Sequence, residues 1–201
     1  MTNPDLLLYV VHVCFWGSFG IVKSLAPAPA PATDSTRDAA PKAATEAVAP
    51  FSRAVLVLHS IAFGIMYFGV GNAVLPNRVP FWFPGQRIFG GLVITAGAAL
   101  MSWALHYFRS WRFRAQLEAG HELATGGPFH YVRHPIYLGM NCLAVGTAIW
   151  VPTLTTWIGA VLMVLGGDLR GRVEEVLLRQ VFGAAYTEYC ARTQRFLPGV
   201  Y

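Results

Sequence analysis

Charge is the first thing this chain has little of. Asp, Glu, Lys and Arg make up only 12% of its 201 residues, where soluble domains carry roughly a quarter. That deficit excludes an ordinary water-facing surface, and a hydrophobic share of 55% places the chain in the membrane class. The three cysteines, Cys14, Cys142 and Cys190, have no C-x-x-C spacing, which argues against a disulfide framework or a zinc site; two of them fall in apolar stretches and pack there as small hydrophobes. No Gly-x-Gly-x-x-Gly follows a strand and opens a helix, so the nucleotide-binding fingerprint of soluble α/β enzymes is missing. The formal net charge is +5, yet no basic stripe is interleaved with aromatics, and a nucleic-acid partner is not expected.

What is there is a series of long apolar runs. Residues 6–25, 54–75 and 88–108 each reach the length of about 20 that crosses a hydrocarbon core roughly 30 Å thick, and among them only Lys23 is fully charged, near an end where it can snorkel. Residues 136–167 form a longer uncharged stretch interrupted by Pro152 between Trp150 and Thr153. This reads as an interfacial turn between two antiparallel helices, the first starting at Pro135 and the second running on past Asp168 as it leaves the membrane. The expected fold is therefore an all-α integral membrane protein of about five transmembrane helices with a cytoplasmic C-terminal helical segment. Residues 1–25 hold the first span and 51–108 the second and third. The Ala/Pro/Thr-rich residues 26–50 cannot bury enough surface to fix their backbone and are expected to form a disordered loop. No Lys or Arg precedes the first span and Asp5 does, so a retained helix is expected there rather than a cleaved signal peptide.

Of the fifteen Lys and Arg residues, all but Arg78 and Arg87 fall on one side of such a topology. The positive-inside rule then sets the N-terminus outside and the C-terminus in the cytoplasm, with a bacterial inner membrane as the expected location. The loop before the fourth span and the C-terminal segment meet on that cytoplasmic side.

Two stretches there carry chemistry. The first is TGGPFHYVRHPIYLG, residues 125–139. Arg133, His134 and the unpaired N–H groups of a helix start at Pro135 suit a carboxylate or phosphate, and Tyr131 and Tyr137 can face a cation. Read from the residues alone, a basic helix end anchored among headgroups is the favoured reading. The second is DLRGRVEEVLLRQVFGAAYTEYCARTQRFLPGVY, residues 168–201. Arg170 and Glu174 share a helix face, Glu175 lies beside them, Leu177, Leu178, Val181 and Phe182 supply an apolar side, and Gly183 offers a stop before Tyr186 and Tyr189 begin another short element. An amphipathic helix lying on the membrane is the plainer reading of it.

Together the two stretches resemble the paired signature of the isoprenylcysteine carboxyl methyltransferases and the related phospholipid methyltransferases: Arg-His-Pro, then Arg-x-x-x-Glu-Glu-x-x-Leu, Phe-Gly-x-x-Tyr-x-x-Tyr and a terminal Pro. The resemblance covers roughly residues 109–201. It implies a small helical membrane bundle that binds S-adenosylmethionine at its cytoplasmic face, making 109–201 the cofactor-binding methyltransferase region. It also implies that Tyr131, Arg133, His134, Pro135, Tyr137 and Glu175 help bind the cofactor, that Arg170 and Glu174 sit by the transferred methyl as catalytic residues, and that no metal is needed. The implied acceptor is lipidic or small, foremost the carboxylate of an isoprenylcysteine, with a phospholipid amine or a thiol as alternatives. The bilayer is the expected partner, and no obligate protein partner is evident. Gly171 stands where the family more often has a branched aliphatic residue, and the Ala/Pro loop is an addition to the basic bundle.

Two other classes compete. Sterol and steroid reductases share a related Arg-His-Pro segment but use NADPH, and the Glu174-Glu175 pair speaks for the methyltransferase side. A haem module is the other, because His12, His59 and His106 lie in or near separate spans and imidazole is a common axial ligand.

Overall fold

The protein was analysed as a computed structural model, in which residues 4–25, 47–48, 51–108, 116–117 and 123–200 are described. Most of the Ala/Pro-rich stretch lies outside the described residues, and so do Arg37, Lys42, Arg109, Arg112 and Arg114 of the charge pattern. Five α-helices make up the described fold: α1 (Leu7–Leu25), α2 (Ser52–Val74), α3 (Gln86–Tyr107), α4 (Pro135–Trp150) and α5 (Leu154–Arg192). Single 3-10 turns precede α1 (Pro4–Leu6) and α4 (Gly127–His130), and two residues of β1 (Ala47–Val48) pair antiparallel with two of β2 (Gln116–Leu117).

The apolar runs become helices because a helix satisfies its backbone N–H and C=O groups internally, which an apolar surrounding demands. α2 and α3 are long and apolar enough to cross a membrane, whereas α1 and α4 contribute shorter apolar stretches. The bundle turns large apolar side chains outward, among them Val13, Ile61, Phe68, Ile88, Leu92 and Val161. An apolar exterior of this extent marks a surface that meets something other than water.

α4 begins at Pro135, where a missing N–H costs nothing. The turn after it is held by Thr153, whose hydroxyl accepts from the Thr156 amide at 3.2 Å while the Thr156 hydroxyl accepts from the Thr153 amide at 3.1 Å, a reciprocal cap. α5 is unbroken for 29 residues' worth of turns up to Gly183, where φ is 52° and the axis kinks. At 39 residues and about 1.5 Å per residue it is far longer than a bilayer core is thick.

α3 and α4 approach more closely than any side chain would allow. A Cβ on Gly139 would lie 2.7 Å from the Gly97 carbonyl, and one on Gly97 equally 2.7 Å from the Gly139 carbonyl; Gly90 and Gly146 repeat this reciprocal fit at 2.6 Å. Each glycine pair is seven residues apart along its helix, so one stripe of small residues meets another. Because backbone atoms cannot yield as side chains do, Gly139→Val is expected to cost about 1–3 kcal/mol. A fall in the thermal unfolding midpoint of the detergent-solubilised protein would register it, and an unchanged midpoint would contradict the close approach.

At the end where α4 turns into α5, Asp5 is buried and accepts from both Arg87, at the start of α3, and the Trp150 indole at 3.0 Å. Burial alone would raise the Asp5 carboxyl, but the Arg87 and Trp150 hydrogen bonds hold it below its ordinary value. In the middle of the bundle Trp16 donates to the Tyr67 hydroxyl at 2.8 Å, and Tyr67 bonds His12 Nδ1 at 3.0 Å. His12 Nε2 bonds Thr147 at 2.9 Å, and Thr147 donates to the Leu143 carbonyl at 2.6 Å. Both imidazole nitrogens of His12 are thus taken, and His106 is exposed at the far end of α3, which removes the haem arrangement the three histidines offered.

Candidate functional site

The opposite end of the bundle gathers the two chemistry-bearing stretches. α5 carries Arg170, Glu174 and Glu175 past the start of α4, and the chain beyond Arg192 folds back onto the Arg-His-Pro segment. The Arg133 amide donates to the Gln194 carbonyl at 2.8 Å and the His134 amide to the Arg195 carbonyl at 3.1 Å, with Val132 and Gln194 forming a parallel bridge. Tyr189 fastens the same return by donating to the Phe129 carbonyl at 2.6 Å. The backbone N–H groups of Arg133 and His134, just ahead of the helix that starts at Pro135, are thus engaged by the returning chain.

Glu175 is the hub. Its side chain is 1% exposed. It accepts from Arg133 Nε at 3.0 Å, from Arg195 Nε and Nη2 at 2.9 Å each, and from Arg179 at 3.3 Å, with His134 Nε2 also at 3.3 Å. Arg133 further donates to the Thr193 carbonyl, and Arg195 reaches Asp168 at 3.1 Å. Burial would push the Glu175 carboxyl up; hydrogen bonds from His134, Arg195 and Arg133 outweigh it and hold the group well below the usual carboxylate range. A depressed folded-state pKa stabilises the fold above the ordinary value of 4.5, and that stabilisation is lost as pH falls below it. Acid titration of the wild type should therefore loosen the C-terminal return below about pH 4.5, while Glu175→Gln should show a flatter acid limb. Identical acid limbs in circular dichroism would contradict this.

Glu174 is placed differently. Its side chain keeps 20% exposure, enough for a ligand to reach. The Tyr137 hydroxyl donates to it, and His134 Nδ1 lies 3.6 Å away. His134 stacks on Tyr137 with centroids 5.7 Å apart and planes 16° apart. Arg170 is buried on the neighbouring turn of α5, its guanidinium carbon 4.6 Å from the centroid of the Tyr137 ring. Tyr137, Arg170 and Glu174 thus form one contiguous group of a cation, an aromatic face and an anion.

Gly171 packs tightly on His134. The helix runs through it, and a Cβ there would lie 3.1 Å from His134 Cδ2 and 3.2 Å from Nε2, so the imidazole would have to give by a few tenths of an ångström. Of the residues named from sequence, Arg133, His134, Pro135, Tyr137, Arg170, Glu174 and Glu175 come together. Tyr131 stands apart at the rim, more than half exposed, its ring 6.4 Å from that of Trp103. Sequence reasoning missed Arg195, which closes the charge cluster, and Asp168 and Tyr189, which brace it. The one signal for Arg195 was a basic residue lying shortly before the terminal Pro of the second stretch.

Comparison with known proteins follows the same boundaries. The sequence profile of the phospholipid methyltransferase family matches residues 86–185, from the start of α3 to just past the kink in α5. The chain belongs to the phospholipid methyltransferase family. A protein of Oryza sativa subsp. indica named probable protein-S-isoprenylcysteine O-methyltransferase is 36% identical over 87 residues, and its counterpart in subsp. japonica matches to the same degree. The alignment covers 42% of this chain and 45% of each rice protein, so the chain spans about half the length of these relatives. The match to the family holds α3, α4 and most of α5. It leaves out α1, α2 and the C-terminal return with Tyr189 and Arg195.

Proposed function

We propose that this protein is an S-adenosylmethionine-dependent methyltransferase acting at a membrane surface on the carboxylate of an isoprenylcysteine-like acceptor. The observation that carries the reading is the convergence of Arg133 to Tyr137 with Arg170 to Glu175 around one tyrosine face, at the end of a bundle whose exterior is apolar. Five crossings with the N-terminus outside and this site in the cytoplasm remain the topology that the basic residues favour.

The donor set fits the proposed cofactor. Glu174, partly exposed and fixed by the Tyr137 hydroxyl, offers an anion to a ligand's cationic centre. When bound, the cofactor supplies an electrophilic methyl on a positively charged sulfur. Arg170 orients an anionic acceptor against that methyl, holding nucleophile and electrophile at near-attack distance. An ionised carboxylate needs no base, whereas an amine must first lose a proton, and the guanidinium of Arg170 beside the acceptor position repels an ammonium. Glu175 acts through others: by fixing Arg133, His134 and Arg195 it sets the start of α4 against α5 and so the relation of Tyr137 to Glu174.

The names of the two rice relatives support the same acceptor class. Incubation with methyl-labelled S-adenosylmethionine and a panel of prenylcysteines, small thiols and amine lipids tests the reading. Base-labile label on the prenylcysteine carboxylate is the expected result. Label on the amine lipids alone would move the assignment to N-methylation, and no transfer to any acceptor would overturn it.

A further inference from the structure

Deeper in the bundle than Arg170, two buried side chains that pack on one turn of α5 carry polar atoms with no hydrogen-bond partner among the described residues. His59 on α2 is 2% exposed and Asn141 on α4 is 7% exposed. Neither ring nitrogen of His59, nor Asn141 Oδ1, finds a partner among the described residues. Both pack on the same turn of α5: a Cβ on Gly166 would lie 3.5 Å from His59 Cγ, and one on Gly167 would lie 3.0 Å from Asn141 Oδ1. Arg170 stands four residues after the first glycine and three after the second, directly above both on the helix surface. Tyr137, under its guanidinium, is one turn before Asn141 on α4. α2 packs chiefly on α5, and α4 on α3 and α5, so α2 and α4 scarcely meet. The seam between them is floored by α5. It is sealed about 9–12 Å further in by the His12 bridge from Tyr67 on α2 to Thr147 on α4.

Buried imidazole and amide groups are costly in an apolar interior unless something pairs with them. Glycines at 166 and 167 let the two side chains pack directly on the α5 backbone. We propose that this seam is the head-group subsite for the methyl acceptor, with His59 donating to the acceptor's carboxylate alongside Arg170 and Asn141 Oδ1 accepting from an N–H close to that carboxylate. The ligand class is an amphiphile bearing a carboxylate and an adjacent amide. Because His59 lies outside the family match, this half of the recognition belongs to α2. The proposal rests on the methyltransferase reading, and it adds to it the residues that select the acceptor.

The test uses the full chain in lipid nanodiscs, with N-acetyl-S-farnesylcysteine, S-farnesyl-3-mercaptopropionate, which lacks the amide, and S-adenosylhomocysteine as probes. His59→Phe keeps a ring to stack on Phe63, now 5.5 Å from His59, and Asn141→Leu keeps volume, so both remove hydrogen bonding without emptying the core. Each is expected to weaken calorimetric binding of the farnesylcysteine by about tenfold or more while leaving S-adenosylhomocysteine affinity within about twofold. Asn141→Leu should also abolish the wild type's preference for the amide-bearing probe. Unchanged farnesylcysteine binding in both variants, or equal wild-type affinity for the two farnesyl probes, overturns the subsite and leaves the methyltransferase reading standing. A wild type that binds no S-adenosylhomocysteine overturns both.

Discussion

Turnover of the Glu174→Gln protein is expected to fall by about 10²–10³-fold, the usual cost of removing one preorganised electrostatic contact at a reacting centre, with folding unchanged. The substitution keeps shape and leaves an oxygen to accept the Tyr137 hydroxyl, so what is lost is the negative charge facing a ligand. Thermal unfolding in detergent should stay at the wild-type midpoint, because Glu174 contributes to no ion pair as buried as those of Glu175. Arg170→Ala should also lose turnover, through the acceptor instead of the cofactor. The pH dependence separates two roles for Glu174. If it removes a proton from an amine, an acid limb in kcat/KM vanishes with the carboxyl; if it acts as a fixed charge opposite a carboxylate acceptor, the loss is uniform across pH. Wild-type turnover in Glu174→Gln would sink its assignment.

The largest structural effect is expected from Glu175→Ala. Removing the hub leaves Arg133 and Arg195 with 12% and 13% side-chain exposure and without the carboxylate they share. Breaking one partner of a buried ion pair costs about 3–5 kcal/mol, because the remaining charge stays desolvated. The consequence is local: the C-terminal return comes away from Val132 to His134, and Tyr137 loses its register against Glu174. Binding of S-adenosylmethionine should drop by at least about 10²-fold, with faster proteolysis of residues after Arg192 as the structural readout. Glu175→Gln should retain more, since it still accepts hydrogen bonds while losing the charge. Arg133→Ala and His134→Ala should weaken cofactor binding by the same route. Unchanged calorimetric affinity in all of these variants would return the cluster to the role of a helix-end anchor.

These two neighbouring glutamates illustrate what was legible beforehand. Their presence, and the spacing of Arg170 to Glu174, follow from one helix. Which of the two faces a ligand and which is enclosed does not, since adjacent residues on a helix point about 100° apart and the difference depends on where α4 and the C-terminal strand pack. The first four helices were readable to within about two residues at their ends, because apolar runs of that length have one way to satisfy their backbone. The start at Pro135 and the turn at Pro152 and Thr153 were also readable, each being a local property of proline or threonine; at Gly183, where the sequence offers a stop, α5 kinks and runs on to Arg192. Gly171 was not, because its reason is the imidazole of His134, distant in sequence and in contact only once α5 lies against α4.

By itself, then, the sequence determined that the chain is helical and apolar, with two polar stretches that converge at one end of a bundle. Runs of apolar residues and helical periodicity are local, and they survive any arrangement of the helices. Tertiary structure alone decided that Arg195 completes the cluster around Glu175, that the amides of Arg133 and His134 are taken by the returning chain, and that His59 and Asn141 pack on the turn of α5 that leads to Arg170. Each of these joins residues at least 20 positions apart, and charge and hydrogen-bonding partners at such separations are chosen by packing, which no local pattern encodes.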